Sequence, residues 1–288
     1  MNSPKIVCPN NKRLLKGLAG YSVVVRVDEL SQAVGAAADV RDLGISLACL
    51  IVDSNLPLDQ LALSEDQKAI PLVIVSPSMG KFRNLAERLE RLRAMNVRIY
   101  LPCDGPGNST ALKILSSLGI NGCALIGREP TDWEALSDLM TYALLERTPH
   151  APIEPFEFIA SHYNPLSTLN WRGVYFDDPA QFLHMDAKGR IALTAAELKK
   201  KRFIAQSLEE IGEAAAFPAI KDRQQEWRRF FVENHPCASC NGWKICMGMF
   251  SAALDKDQGC SRFFREMIEV TRQYRTQKPS QTYLKFGS

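Results

Sequence analysis

The chain has 288 residues, of which 46% are hydrophobic and 23% charged, so it can bury a sizeable core, and disorder, a collagen helix and a coiled coil are excluded. Thirty-five Lys and Arg residues against 32 Asp and Glu residues give a formal net charge of +3, which does not favour nucleic acid as a partner. Since no stretch approaches the ~18 apolar residues of a membrane helix, we expect no membrane partner and a cytoplasmic protein.

Apolar runs of strand length alternate with amphipathic segments of helical length from Tyr21 onward. This alternation is typical of repeated βα units and a parallel sheet. The predicted strands are residues 22–28, 45–53, 72–76, 97–103, 122–127 and 156–161. The predicted helices are residues 29–43, 79–95, 109–118 and 131–147, with a weaker helical pattern at 56–68. Right-handed crossovers of this length close most simply into a barrel or partial barrel, so we expect an α/β fold of that kind.

The pattern changes in the second half of the chain. Residues 148–155 contain three prolines, and the alternation of strand and helix stops after residue 161. We therefore predict two domains, residues 1–161 and 162–288. In the second domain, the predicted elements are a short strand at 173–176, a hairpin of 181–185 with 190–193, and helices at 195–213, 220–234 and 261–274.

Half of the eight cysteines lie close together in the sequence. They form the pattern C-x2-C-x5-C-x13-C and are Cys237, Cys240, Cys246 and Cys260. In a cytosolic chain, such a cluster favours metal or redox chemistry over a disulfide framework. Gly242 permits a reversal after the C-x2-C pair, and Gly259 relaxes the backbone before the fourth cysteine. Zinc sites usually present two C-x2-4-C pairs, so this single pair favours a [4Fe-4S] cluster and leaves zinc as the alternative.

The segment HPCASCNGWKICMGMFSAALDKDQGCSRFF, which runs from His235 to Phe264, resembles the SPASM domain. This is the C-terminal auxiliary-cluster domain of radical SAM enzymes that modify peptides and proteins. Its members carry a C-x2-C-x5-C-x3-C run and a later cysteine near a helix start. The resemblance implies that one auxiliary [4Fe-4S] cluster is held by Cys237, Cys240, Cys246 and Cys260. The fourth cysteine of the run serves another cluster in the family, and Phe250 stands at that position here. The resemblance therefore implies one cluster and not two.

The six predicted βα units also match the partial (β/α)6 barrel of radical SAM enzymes, with the SPASM-like part following it as in the family. The defining C-x3-C-x2-C motif should follow the first strand, but residues 29–38 contain no cysteine. Without three thiolates that leave one iron open, SAM cannot be bound and cleaved by the usual route. The resemblance thus implies a SPASM protein with a degenerate radical SAM-like barrel, which uses neither SAM nor radical catalysis.

These features together predict an iron–sulfur protein that is a non-radical accessory partner of a radical SAM enzyme that modifies a peptide or protein. It would act by electron transfer or by binding the substrate or the partner. Two alternatives stay open: a barrel enzyme of unknown chemistry with a structural cluster, and a zinc-stapled interaction scaffold. The sequence shows no paired acid and base and no nucleophile motif, so it names no catalytic residue. The arginines that flank the cysteines fit either a solvated face or a docking site for an acidic partner: Arg223, Arg228, Arg229, Arg262, Arg265 and Arg272.

Overall fold

The structure, a computed structural model, describes residues 4–127, 132–211, 225, 228–250 and 259–277. The strands in these ranges are β1 Lys5–Pro9, β2 Ser22–Val27, β3 Ser46–Asp53, β4 Leu72–Val75, β5 Val97–Pro102, β6 Asn121–Leu125, β7 Ile153–Glu154, β8 Phe182–Met185 and β9 Ile191–Ala192. The α-helices are α1 Lys12–Lys16, α2 Ala33–Asp42, α3 Phe82–Ala86, α4 Leu89–Ala94, α5 Pro106–Ser117, α6 Trp133–Leu145, α7 Phe156–His162, α8 Ala195–Lys199, α9 Arg228–Val232, α10 Trp243–Cys246 and α11 Gly259–Gln277. Within the described ranges, no helix is long and apolar enough to cross a membrane.

The described strands form one nine-stranded, mostly parallel sheet in the order β7-β6-β5-β4-β3-β2-β1-β8-β9. Strand β1 is parallel to both β2 and β8, whereas β9 is antiparallel to β8. The predicted α/β class is therefore confirmed. Strands β1 to β7 follow one another in chain order, so every crossover steps in the same direction. Right-handed crossovers of that kind place their helices on one face of the sheet.

The chain divides into two compact units, each of which combines distant segments. Unit 1 comprises Met1–Arg98 and Arg172–Glu226, and unit 2 comprises Ile99–Trp171 and Trp227–Ser288. In unit 1, α2 packs on β2 and β3, and α8 packs on β8 and β9. In unit 2, α5 packs on β6 and α6, and α11 packs on α6 and α7. Each unit includes residues from both sides of the boundary predicted near residue 161.

Five of the six predicted strands are confirmed, with ends that differ by at most two residues. The prediction of a strand at 156–161 is wrong, because these residues form α7. Phe156, Ile159 and Ala160 are buried at helical spacing, and the Glu154 carboxylate accepts a hydrogen bond from the Phe158 N–H at 2.9 Å. The sequence reading also missed β1, whose short buried run stands in an otherwise polar N-terminal segment.

The hairpin is confirmed as β8 and β9, but the strand predicted at 173–176 is wrong, because a 3-10 helix spans Trp171–Tyr175. Helices are confirmed as α2, α5, α6 and α11, whereas the predicted helix 79–95 is divided into α3 and α4. The pattern at 56–68 gives two 3-10 turns, Leu58–Gln60 and Glu65–Gln67. A single helix at 195–213 is also wrong, because α8 ends at Lys199. Residues 212–213, 220–224, 226 and 227 lie outside the described residues, and α9 at Arg228–Val232 confirms the described part of the predicted helix 220–234.

Candidate metal centre

The four clustered cysteines surround one cavity within unit 2. Cys237 lies in the 3-10 helix Pro236–Ser239 and Cys240 directly follows it, whereas Cys246 ends α10 and Cys260 lies in the first turn of α11. Together with aromatic side chains, they line about 300 Å³ of space that is partly open to solvent. Each is a free thiol, and Cys240 is the most exposed of them. The structure thus brings together all four residues that the spacing predicts as ligands.

Two glycines let the backbone come close enough to form this cavity. A Cβ atom on Gly242 would lie 2.4 Å from the Cβ of Phe264, so only glycine allows the turn after Cys240 to approach α11. A Cβ atom on Gly259 would lie 2.3 Å from Cδ1 of Trp133, which precedes the cysteine pattern by more than a hundred residues. Space, more than the backbone freedom that the sequence suggested, makes glycine necessary at both positions.

The electrostatic environment of the cysteines disfavours free thiolates. Burial is the largest cause, and the neighbouring cysteines a smaller one, that raise the pKa of Cys246 to about 12 and that of Cys237 to about 11. Backbone N–H groups of Phe250 and Gly248 oppose this at Cys246 by donating hydrogen bonds to its sulfur. A bound metal cation would offset this penalty, because its positive charge compensates the negative charge of the thiolates.

A hydroxyl group contacts the most exposed sulfur. The Sγ atom of Cys240 and the Oγ atom of Ser261 form a hydrogen bond of 3.5 Å across 21 residues of sequence. The pKa of Cys260, beside Ser261, is also raised by burial and by Cys240, while the N–H of Ser261 lowers it. The sequence reading missed Ser261, since nothing in the spacing marks a serine after the fourth cysteine.

The sulfur arrangement differs from that of a preformed single-metal site. Among the described residues, no three His, Cys, Asp or Glu side chains stand close enough to share one metal ion. Four thiolates around one zinc ion, each about 2.3 Å from it, would lie roughly 3.8 Å from one another. A four-iron cluster takes one thiolate at each iron and keeps the sulfurs further apart.

Aromatic rings form part of the wall of the cavity. Phe250 stands at the position where the SPASM domain, which this segment resembles, has a cysteine. It is only 2% exposed and packs edge-on against Trp133, with ring centroids 5.2 Å apart. Phe250 also contacts Phe264, at 5.8 Å between centroids. Phe250 therefore contributes buried packing to this wall. Trp133 was also missed by the sequence reading, because only the tertiary structure brings it to the cysteines.

Helix α10, which ends at Cys246, is held by residues 169–171 of unit 2. The indole nitrogen Nε1 of Trp171 donates to the carbonyl of Ile245 at 2.9 Å, and the N–H of Leu169 donates to the carbonyl of Lys244 at 2.8 Å. Trp171 is 1% exposed. The arginines lie outside this packing: Arg228, Arg229, Arg262, Arg265 and Arg272 are exposed, and Arg223 lies outside the described residues.

A scan of the chain against models of known protein families finds no match, and a search of curated proteins finds none either.

Proposed function

We propose that the chain is an iron–sulfur protein that holds one [4Fe-4S] cluster through Cys237, Cys240, Cys246 and Cys260. The observation that carries the proposal is that, in the described part of the chain, these four sulfurs and no other cysteine line one cavity. A cluster of this kind supplies one-electron transfer when it is bound. The chain's own residues would supply its ligands, N–H and O–H donors to its sulfurs, and an aromatic wall that limits access of water.

The proposal extends to the fold, as a partial barrel of the radical SAM type followed by a SPASM-like domain. The seven strands β1 to β7 lie side by side in chain order, which supports it, because in a doubly wound sheet the order of the strands reverses part of the way across the sheet. The residues after the first two strands, 10–21 and 29–38, contain no cysteine that could bind a SAM-cleaving cluster. The protein would then be a non-radical accessory partner of a radical SAM enzyme acting on a peptide or protein in the cytoplasm.

The first test is anaerobic purification followed by iron, sulfide and zinc analysis and a visible spectrum. We expect about four irons and four sulfides per chain, with a broad absorbance near ~400 nm. Cys240→Ala removes the most exposed ligand and should lose this absorbance. Cys103→Ala is the matched control, because Cys103 is a buried thiol outside the cavity. One zinc and no sulfide would contradict the cluster and leave a zinc-stapled scaffold.

A second experiment separates an electron-transfer role from a structural one. The assembled protein would be titrated with dithionite and followed by electron paramagnetic resonance. Reversible one-electron reduction supports electron transfer to or from the partner. A cluster that stays unreduced, in a protein whose unfolding temperature falls when the cluster is removed, would instead favour a barrel protein with a structural cluster.

A further inference from the structure

The exposed apolar side chains of unit 2 lie beside the cysteine cavity. Among the described residues of this unit, three large apolar side chains are exposed: Leu166 at 89%, Val232 at 83% and Phe231 at 44%. The Phe231 ring packs edge-on against the ring of Trp243, with 5.1 Å between centroids, and Trp243 lines the cavity. Lys244, the next residue of α10, donates from Nζ to the carbonyl of Pro165, which precedes Leu166. Two exposed apolar segments are therefore held against α10.

A tight turn fixes the most exposed of these side chains in place. The side-chain Oδ1 of Asn164 accepts the N–H of Leu166 at 2.9 Å, and the carbonyl of Asn164 accepts the N–H of Ser167 at 3.1 Å. The bond from Lys244 to Pro165 holds the same turn against α10. A segment that is ordered before it binds loses less conformational entropy when a partner covers it. An ordered and exposed Leu166 therefore suits an interface with another protein.

Positive charge borders the same cavity. Cys240, the most exposed of the four cysteines, contacts Ser261, and the exposed Arg262 follows Ser261 on α11. Within the described part of the chain, neither Arg262 nor Lys244 forms an ion pair. Residues 228–250 and 259–265 contain one acidic side chain, that of Glu233. A protein surface that is complementary to this one combines acidic groups with an apolar centre.

We propose that a surface formed by Leu166, Phe231, Lys244 and Arg262, called here the α10 surface, binds a small acidic protein that carries one electron. The inference rests on the proposed cluster and specifies the kind of partner with which the cluster would exchange electrons. One electron passes from the carrier to the cluster, so the carrier is oxidised and the cluster reduced by one electron, and no atom is transferred. Interfaces of electron-transfer pairs are small, often below about 1,200 Å² in total, so a few apolar contacts and charges suffice.

Stopped-flow reduction of the cluster-loaded protein tests this surface, with reduced flavodoxin as the probe, a small acidic one-electron carrier. We expect a rate that saturates with flavodoxin concentration and an association that slows as ionic strength rises, because opposite charges attract each other less in salt. Leu166→Ser should raise the half-saturating concentration about tenfold through the loss of apolar contact. Leu56→Ser is the matched control, since Leu56 is an exposed leucine of unit 1.

The charge is tested separately on α11. Arg262→Gln should slow association with flavodoxin severalfold at low ionic strength and much less at high ionic strength. Arg272→Gln is the matched control, because Arg272 is exposed on the same helix, ten residues or about 15 Å further along it. We expect its association rate to equal that of wild type at each salt concentration.

Reduction by the methyl viologen radical, a small cation that needs no protein interface, separates this proposal from the cluster itself. Leu166→Ser should keep the iron content and the methyl viologen rate of wild type. If the loaded protein reacts with methyl viologen, but its reaction with flavodoxin does not saturate or is unchanged in Leu166→Ser, the α10 surface is overturned and the proposed function stands. A cluster that neither reagent reduces also overturns the α10 surface. Protein without iron and sulfide overturns both proposals.

Discussion

The hydroxyl of Ser261 is placed to tune the cluster that we propose. When Cys240 is a thiolate ligand it can only accept a hydrogen bond, so the contact of 3.5 Å then has Ser261 as donor. Such bonds stabilise the more negative, reduced state of a cluster and raise its reduction potential. The sequence predicts the four cysteines as ligands of one group because they lie close together along the chain. It could not predict Ser261, whose role depends on where α11 meets the turn at Cys240.

Replacement of this hydroxyl should change the potential without preventing assembly. In Ser261→Ala we expect full cluster content and a potential lower by roughly 40 mV, the one-electron equivalent of about 1 kcal/mol for one hydrogen bond. A redox titration followed by electron paramagnetic resonance measures the shift. Ser167→Ala, at an exposed serine away from the cavity, should leave the potential unchanged. A Ser261→Ala potential equal to that of wild type would contradict the contact.

Gly242 permits a close approach that no larger residue allows. Gly242→Ala would put a methyl group 2.4 Å from the Cβ of Phe264. Because α11 or the cysteine turn must then shift, we expect a loss of about 1–3 kcal/mol of unfolding free energy and reduced cluster content. Urea unfolding and iron analysis measure the two effects. In Gly35→Ala, on α2 with no atom within 4 Å of the added Cβ, helix propensity should stabilise by about 0.5–1 kcal/mol. Equal stability of the two variants would refute the steric argument.

At the scale of elements, the local periodicity of the sequence predicts those strands and helices whose formation depends on local interactions. The strands β2 to β6 and the helix α6 follow from apolar patterns that their burial confirms. The segment 156–161 shows the limit, because six residues with alternating aromatic side chains fit a strand and a helix equally well. Tertiary contacts decide it: Phe156 packs against Phe263 of α11, with 6.4 Å between ring centroids. No window of sequence contains both residues.

A single arginine ties the end of α7 to α11. Arg275 donates from Nε to the carbonyl of Ala160 and from Nη2 to that of Ser161, both at 2.8 Å. These carbonyls lie in the last turn of α7, where helical partners run out. Arg275→Gln should therefore cost roughly 1–3 kcal/mol of unfolding free energy. Arg272→Gln, one turn earlier on the exposed side of α11, is the matched control and should stay near wild type in urea unfolding. Similar losses in both variants would show that Arg275 contributes only general charge.

At the scale of the whole molecule, the cysteine cavity shares unit 2 with the middle of the chain. Helix α11, which carries Cys260, packs on both α6 and α7, and Ser137 of α6 donates to Glu266 of α11 at 2.8 Å. The domain boundary that the sequence predicts near residue 161, where the composition changes, would separate α6 from the cysteines. In the structure, α6 packs against the helix that carries Cys260, because a small segment around four cysteines cannot bury enough apolar surface alone.

Removal of the cluster should distinguish the division into two compact units from the two domains that the sequence predicts. We expect chelation of the iron to speed amide hydrogen exchange at least tenfold in α6, α7 and α11, because a bound group stabilises the elements packed around it. Strands β2 and β3 of unit 1 serve as the internal reference and should keep their protection. Mass spectrometry of peptides from the loaded and iron-free protein measures the change. An effect confined to residues after 161 would favour the sequence boundary, and an equal effect in β2 and β3 would show that the protein opens as one cooperative unit.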